Sequence, residues 1–193
     1  FQLCSAGDEI VASRTIYGGT YALLKNLLPR FGVTTRFMDT TDLDAVRRAC
    51  GAKTRVIYCE SISNPLLEVC DLAALASLAH ERGARLVVDN TFSPMILSPL
   101  RLGADVVVHS MTKFINGTSD CVAGCVVSTH EFIAQLNDIN GGPSMLLGPA
   151  LVMPGELEQD VIIVDHELPG AAELAVIVRD VCASAKDMPQ PDD

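Results

Sequence analysis

The stretch VVVHSMTKFINGTSD, residues 106–120, decides the fold prediction because a strand and a set of polar groups meet in it. Its three valines favour β structure, and an apolar run without polar alternation is typical of a strand buried on both faces. Ser110, Thr112 and Lys113 follow directly. An ammonium group delivered to the end of a buried strand is costly without a partner, so we expect Lys113 to serve a chemical purpose.

Similar apolar runs recur along the chain and alternate with helical patterns. Strands are predicted at 9–13, 33–38, 54–60, 84–90, 104–110 and 121–128. Helices are predicted at 20–31, 41–50 (capped by Thr41 or Asp42), 71–83 and 129–138 (capped by Thr129). The alternation predicts an α/β fold, with a mostly parallel sheet and helices on both of its faces.

Composition limits the possible functions. The net charge is −10, and an acidic protein has no electrostatic attraction for nucleic acid or an anionic membrane. No apolar run reaches the ~18 residues of a membrane span. Seven scattered cysteines fit reduced thiols better than disulfides, so we expect a cytoplasmic location. Cys121 and Cys125 lack CxxC spacing, and no metal site is predicted.

The charge is unevenly distributed and suggests two parts. Residues 1–152 carry 14 acidic and 12 Lys or Arg residues, whereas 153–193 carry 10 acidic and two basic residues. This break predicts an α/β part ending near residue 152 and an acidic tail beyond it.

Polar residues follow several of the predicted strands. The carboxyl ends of parallel strands meet at one edge of a sheet, where ligands bind. Tyr17, Glu60, Asn64, Asp89 and Lys113 all fall there. Alone, the carboxylate could equally form a turn and the lysine could be an ordinary loop residue. Together they suggest one ligand that requires both.

Pyridoxal phosphate is such a ligand. Its aldehyde needs an amine, which Lys113 supplies, and its ring stores electrons only while the pyridine nitrogen stays protonated, which Asp89 enforces. Its phosphate needs donors, and Ser110 and Thr112, two apart on a segment predicted to be extended, would point the same way. Its flat ring suits an aromatic cover such as Tyr17.

The motifs resemble a known family. YGGTY (17–21), ESISNP (60–65), VVDNTF (87–92), GADVVVHSMTKFINGTSD (103–120) and VAG (122–124) occur in the order and spacing of the Cys/Met-metabolism family of pyridoxal-phosphate enzymes. The resemblance covers roughly residues 7–150 and is greatest to plant-type methionine γ-lyases. It implies the large cofactor-binding domain of a fold-type-I pyridoxal-phosphate enzyme.

The resemblance also implies residue roles. Lys113 would be the Schiff-base lysine and Asp89 the partner of the pyridine nitrogen. Tyr17 would stack on the ring and act as acid for the departing thiol, and Asn64 would neighbour the ring hydroxyl. The phosphate ligands would be Ser110 and Thr112.

The chain departs from the family at both ends. Family members begin well before GDEIV, with a phosphate-gripping turn and a Tyr/Arg pair that reaches the neighbouring subunit of a homo-oligomer. Their C-terminal domain carries an arginine for the substrate carboxylate, whereas residues 153–193 show no resemblance. We therefore expect a domain truncated at both ends that does not turn over substrate by itself.

Several functions remain open. The resemblance implies a carbon–sulfur lyase that converts L-methionine to methanethiol, 2-oxobutanoate and ammonia. The alternatives are cystathionine γ-synthase, cystathionine γ-lyase or cystathionine β-lyase chemistry. A further alternative is a non-enzymatic remnant that docks on an intact subunit.

Overall fold

The described part of the chain forms one six-stranded sheet. The structure is a computed structural model that describes residues 2–118, 120 and 122–140. The strands are β1 Glu9–Ser13, β2 Thr34–Met38, β3 Thr54–Glu60, β4 Arg85–Asp89, β5 Val106–Ser110 and β6 Gly124–Val127. Their order across the sheet is β2-β1-β3-β4-β5-β6. All neighbours pair in parallel except β5 and β6, which are antiparallel. The predicted α/β class and mostly parallel sheet are confirmed.

Two apolar layers cover the sheet. The helices are α1 Gly18–Ala22, α2 Leu43–Ala49, α3 Leu72–Glu81 and α4 His130–Asn140. Alternation along β3 divides the core, since Ile57 packs in the layer with α2 and α3 while Tyr58 packs in the other layer. That second layer contains Leu24 from the helical segment after α1 and Phe132 from α4. Helices therefore lie on both faces, as predicted.

Capping side chains set where the helices begin. The Asp42 carboxylate accepts a hydrogen bond from the Ala45 amide at 2.9 Å, and Asp71 accepts one from Ala74 at 3.0 Å. Each satisfies a backbone donor that the first turn of a helix leaves unpaired. Of the two caps considered for α2, the structure selects Asp42.

The helix predicted at 20–31 differs in detail. The segment begins two residues earlier and is α-helical only over Gly18–Ala22, followed by a π turn at Leu23–Leu27 and a 3₁₀ turn at Leu28–Phe31. Pro29 lacks the N–H that a continuous α-helix would donate to the carbonyl of Lys25. A single α-helix over the whole range is therefore wrong.

Two predictions fall partly or wholly outside the described residues. The acidic tail at 153–193 lies beyond them, so the boundary near residue 152 stays a prediction. Cys121 is also outside them, whereas Cys125 is a buried free thiol in β6. Within the described ranges, no helix is long and apolar enough to cross a membrane.

Candidate active site

A cavity of about 760 Å³ opens at the carboxyl edge of the sheet. Tyr17 follows β1, Asn64 follows β3, and Asp89 ends β4. Parallel pairing places these strand ends side by side, as the register of Glu60 opposite Asp89 shows. The cavity is lined by Tyr17, Glu60, Ile62, Asn64, Asp89, Thr91, Phe92, Ser110, Thr112, Lys113, Phe114, Gly117 and Val122. The six residues to which the resemblance assigns roles, and Glu60, therefore all line one cavity.

Lys113 lies in a helical turn directly after β5. The turn spans Met111–Ile115, and its backbone departs from helical geometry at Lys113, where φ is −95° and ψ is −117°. The lysine is exposed rather than buried. The expectation of a costly buried ammonium is therefore wrong, because β5 is already only half-buried at its end and the turn after it places Lys113 at the open cavity.

Asp89 is half-buried at the end of β4 and held by its neighbours. Its Oδ1 atom accepts a hydrogen bond from the Thr91 amide at 2.9 Å. Its Oδ2 atom lies 3.5 Å from the hydroxyl of Tyr58, which donates at the limit of hydrogen-bonding distance. Burial, followed by the charge of Asp89, raises the pKa of Tyr58 well above its usual value. That phenol therefore stays a neutral donor beside the carboxylate.

The two hydroxyl residues differ in their surroundings. Ser110 ends β5, and its amide donates to the Thr91 hydroxyl at 2.8 Å. Thr112 lies in the helical turn, not on an extended segment as predicted. Its hydroxyl accepts from the Ala123 amide at 3.0 Å and donates weakly to the Ala123 carbonyl at 3.3 Å. Thr112 thus also joins the turn to the chain entering β6.

Tyr17 covers the cavity from the loop between β1 and α1. Its side chain is 55% exposed, and its Cε1 atom lies 2.6 Å from where a Cβ atom would stand at Gly19. The absence of a side chain at Gly19 therefore gives the ring its place.

Glu60 is a site residue to which the sequence analysis assigned no role. It is buried, with 5% exposure, at the end of β3. Its Oε1 accepts from the Tyr17 amide at 2.7 Å and its Oε2 from the Asn64 amide at 2.8 Å. Burial raises the pKa of its carboxyl group, and the two amide donors oppose that rise. Its position at a strand end was the available signal, the same one that identified Asp89.

Comparison with known proteins agrees with this geometry. The chain is 51% identical over 152 residues to a methionine γ-lyase of Arabidopsis thaliana, covering 78% of this chain and 34% of that enzyme. It is 47% identical over 151 residues to an L-methionine γ-lyase of Fusobacterium nucleatum subsp. polymorphum, and this match covers 75% of this chain and 38% of that enzyme. A crystal structure of cystathionine γ-lyase from Lactobacillus plantarum, complexed with L-serine, superposes with a TM-score of 0.70 at 42% identity, covering 76% and 39%.

The chain thus spans little more than a third of the length of these relatives. The similarity to relatives of the cystathionine γ-lyase kind is nearly as high, at 44% identity to one from Dictyostelium discoideum. The family model described as "Cys/Met metabolism PLP-dependent enzyme" matches residues 1–151, which is most of the chain. The protein therefore belongs to the Cys/Met metabolism family of pyridoxal-phosphate-dependent enzymes.

Proposed function

We propose that this chain contributes the cofactor site of a carbon–sulfur lyase of the methionine γ-lyase type. The reaction consumes L-methionine and water and yields methanethiol, 2-oxobutanoate and ammonia. The observation that carries the proposal is the convergence of Lys113, Asp89 and Tyr17 on one cavity, since these three come from separate strand ends. The family and its similarity to methionine γ-lyases supply the reaction type.

The residues present fit pyridoxal phosphate. The cavity volume of about 760 Å³ falls in the ordinary range for cofactor sites. Its lining supplies an amine, a carboxylate, two hydroxyls and an aromatic ring, which match the aldehyde, ring nitrogen, phosphate and ring face of this cofactor. When bound, pyridoxal phosphate supplies an aldehyde that bonds to amines and a ring that accepts electrons from the substrate.

Asp89 is proposed to hold a proton on the ring nitrogen. The Thr91 amide donates to Oδ1 at 2.9 Å, whereas the Tyr58 hydroxyl reaches Oδ2 only at 3.5 Å, so Oδ2 has the greater capacity left for a cationic partner. An ion pair of this kind favours the protonated nitrogen, as an opposite charge always does at short distance. The neutral Tyr58 phenol at 3.5 Å orients the carboxylate without competing for charge.

Lys113 and Tyr17 are proposed to move protons. The exposed Lys113 amine would hold the cofactor through its aldehyde, and as a free amine it would take the proton from the substrate Cα atom. The Tyr17 phenol would cover the ring and donate its proton to the departing methanethiolate sulfur. Asn64, which also lines the cavity, would neighbour the ring hydroxyl.

Ser110 and Thr112 are proposed as phosphate ligands of unequal quality. Ser110 has its amide anchored by Thr91 and its side chain at the cavity. The Thr112 hydroxyl already makes two contacts with the Ala123 backbone. Its hydrogen bond to the Ala123 carbonyl is long, at 3.3 Å, so the hydroxyl can rotate and donate its proton to a phosphate oxygen instead at small cost.

The proposed substrate is L-methionine, with cystathionine as the alternative. Methionine is favoured because methionine γ-lyases have the highest identities among the named relatives. Cystathionine is kept as the second substrate because relatives named cystathionine γ-lyase reach 44% and 40% identity. We also propose a cytoplasmic location, and the resemblance implies a homo-oligomer for the family.

Covalent capture of the cofactor tests the site. The purified chain is mixed with pyridoxal phosphate, reduced with borohydride and mapped by mass spectrometry. The pyridoxyl label should lie on Lys113 and be lost in Lys113→Ala, with Lys25→Ala as the matched control. A label spread over Lys25 and Lys53 would refute the proposal. Methionine and cystathionine are then each assayed for release of thiol and 2-oxoacid, and we expect neither to be turned over by these 193 residues alone.

A further inference from the structure

Glu60 connects two separate loops of the candidate site through one side chain. Each of its oxygens accepts a backbone hydrogen bond from a different loop, at 2.7 Å from Tyr17 and 2.8 Å from Asn64. The residues are 43 and four positions away in sequence. Both bond lengths are typical of strong, charge-assisted hydrogen bonds.

Both donors belong to residues whose side chains line the cavity. Tyr17 is the residue that precedes the first turn of α1, so its position sets where that helix begins. Asn64 lies in the turn that leaves β3 and is joined to Pro65 by a cis peptide bond. A change in the Glu60 carboxylate would therefore move both side chains relative to each other.

The carboxylate lies in a costly position. It is buried and lies next to Asp89 across the β3–β4 pair. Burial, and to a lesser degree the charge of Asp89, favours the protonated form, whereas the two amides favour the ionised form. Ionising Glu60 so close to Asp89 is unfavourable, and we therefore look for the benefit of Glu60 in the two loops that its carboxylate holds in place.

Glu68 provides a comparison within the same pair of loops. Its Oε2 accepts from the Thr15 hydroxyl at 2.8 Å, and its Oε1 lies 3.5 Å from Arg14. It therefore also joins the loop after β1 to the loop after β3. Glu68 is more exposed than Glu60, at 30% of its side chain, and does not line the cavity.

We propose that Glu60 is a positioning residue that fixes Tyr17 and Asn64 on their two sides of the cofactor site. It acts through the two backbone amides that its oxygens bind. The inference rests on the proposed function, because it assumes that the cavity holds pyridoxal phosphate.

Glu60→Gln is the direct test, and Glu68→Gln is its matched control. A glutamine has one acceptor oxygen, so its NH₂ group must face one of the two amides and that bond is lost. Three quantities are measured for the whole chain: the melting temperature, the dissociation constant of pyridoxal phosphate, and the circular dichroism induced in the cofactor absorption band.

Glu60→Gln should weaken cofactor binding by about tenfold, the equivalent of one charge-assisted hydrogen bond. It should also reduce the induced circular dichroism, because the Tyr17 ring no longer lies in register with the cofactor. Glu68→Gln should lower the melting temperature without changing either cofactor signal. In a Tyr17→Ala/Asn64→Ala background, the effect of Glu60→Gln on the dissociation constant should disappear.

Equal cofactor signals in Glu60→Gln and the unsubstituted chain would overturn the inference, as would equal losses of binding in Glu60→Gln and Glu68→Gln. If Glu60→Gln does not fold, Glu60→Asp replaces it, since it keeps the charge but is one methylene too short to reach both amides. Unchanged binding in Glu60→Asp would then refute the role. If the unsubstituted chain fails to bind the cofactor at Lys113, the proposed function itself is wrong and the role of Glu60 falls with it.

Discussion

Gly19→Ala should separate the position of the Tyr17 ring from the stability of the fold. A Cβ atom added at Gly19 would stand 2.6 Å from Cε1 of the Tyr17 ring, whereas ordinary contacts are 3.4–4 Å. The ring must therefore move by roughly 1 Å, as van der Waals contact requires. The side chain is flexible and 55% exposed, so it can swing away without damage to the core.

The two effects of this substitution have opposite signs. Alanine in place of glycine stabilises a helical position by up to about 1 kcal/mol. Loss of the stacking contact should cost about 0.5–1.5 kcal/mol, or roughly 2- to 12-fold in the dissociation constant of pyridoxal phosphate. The expected variant is thus as stable as the unsubstituted chain, or more so, but binds the cofactor less tightly.

Gly18→Ala is the matched control. A Cβ at Gly18 meets nothing within 4 Å, although the residue lies in the same helix. Both variants are titrated with pyridoxal phosphate by fluorescence and unfolded by heat. Equal cofactor affinity in the two variants would refute the argument that an empty position at Gly19 places the Tyr17 ring.

Three further substitutions test the site, a buried thiol pair and the core. Asp89→Asn should weaken cofactor binding by about 10- to 100-fold, since hydrogen bonds to charged groups contribute ~1.5–3 kcal/mol. The control is Asp105→Asn, because the Asp105 carboxylate binds the Leu86 amide at the opposite edge of the sheet. This variant should bind the cofactor as tightly as the unsubstituted chain, and an equal loss of cofactor affinity in both variants would exclude a specific role for Asp89. The hydrogen bond with Cys59 lowers the pKa of Cys70 to about 7 from 9.0. Between these two pH values the folded state therefore binds fewer protons than the unfolded state, and the free energy of unfolding should rise with pH. Cys59→Ala should reduce this dependence of stability on pH, measured by urea unfolding from pH 7 to 9, and should slow alkylation of Cys70 at pH 7. An unaltered pH dependence would contradict the effect of Cys59 on the pKa of Cys70. Leu75→Ala should lower the free energy of unfolding by about 3 kcal/mol, because the side chain is fully buried in α3 against the sheet, and a loss below about 1 kcal/mol in urea titration would contradict this packing.

The amino-acid sequence by itself determined most of the local elements and suggested the chemistry proposed for Lys113. Alternating apolar and helical periodicities predicted the α/β class, and Asp71 marked the start of α3 through its own cap. These features depend on neighbours along the chain, so a linear pattern contains them. The motif around Lys113 was equally local, and it indicated both the cofactor and the family.

Only the tertiary structure decided which polar groups hydrogen-bond to one another and how far each is buried. The sheet order places the ends of β1, β3 and β4 side by side, and this brings the amide of Tyr17 to Glu60. The antiparallel return of β6 gives Thr112 its contacts with Ala123, and the turn after β5 leaves Lys113 exposed rather than buried. Hydrogen bonds between residues tens of positions apart depend on the path of the chain in space, and no spacing in the sequence encodes that path directly.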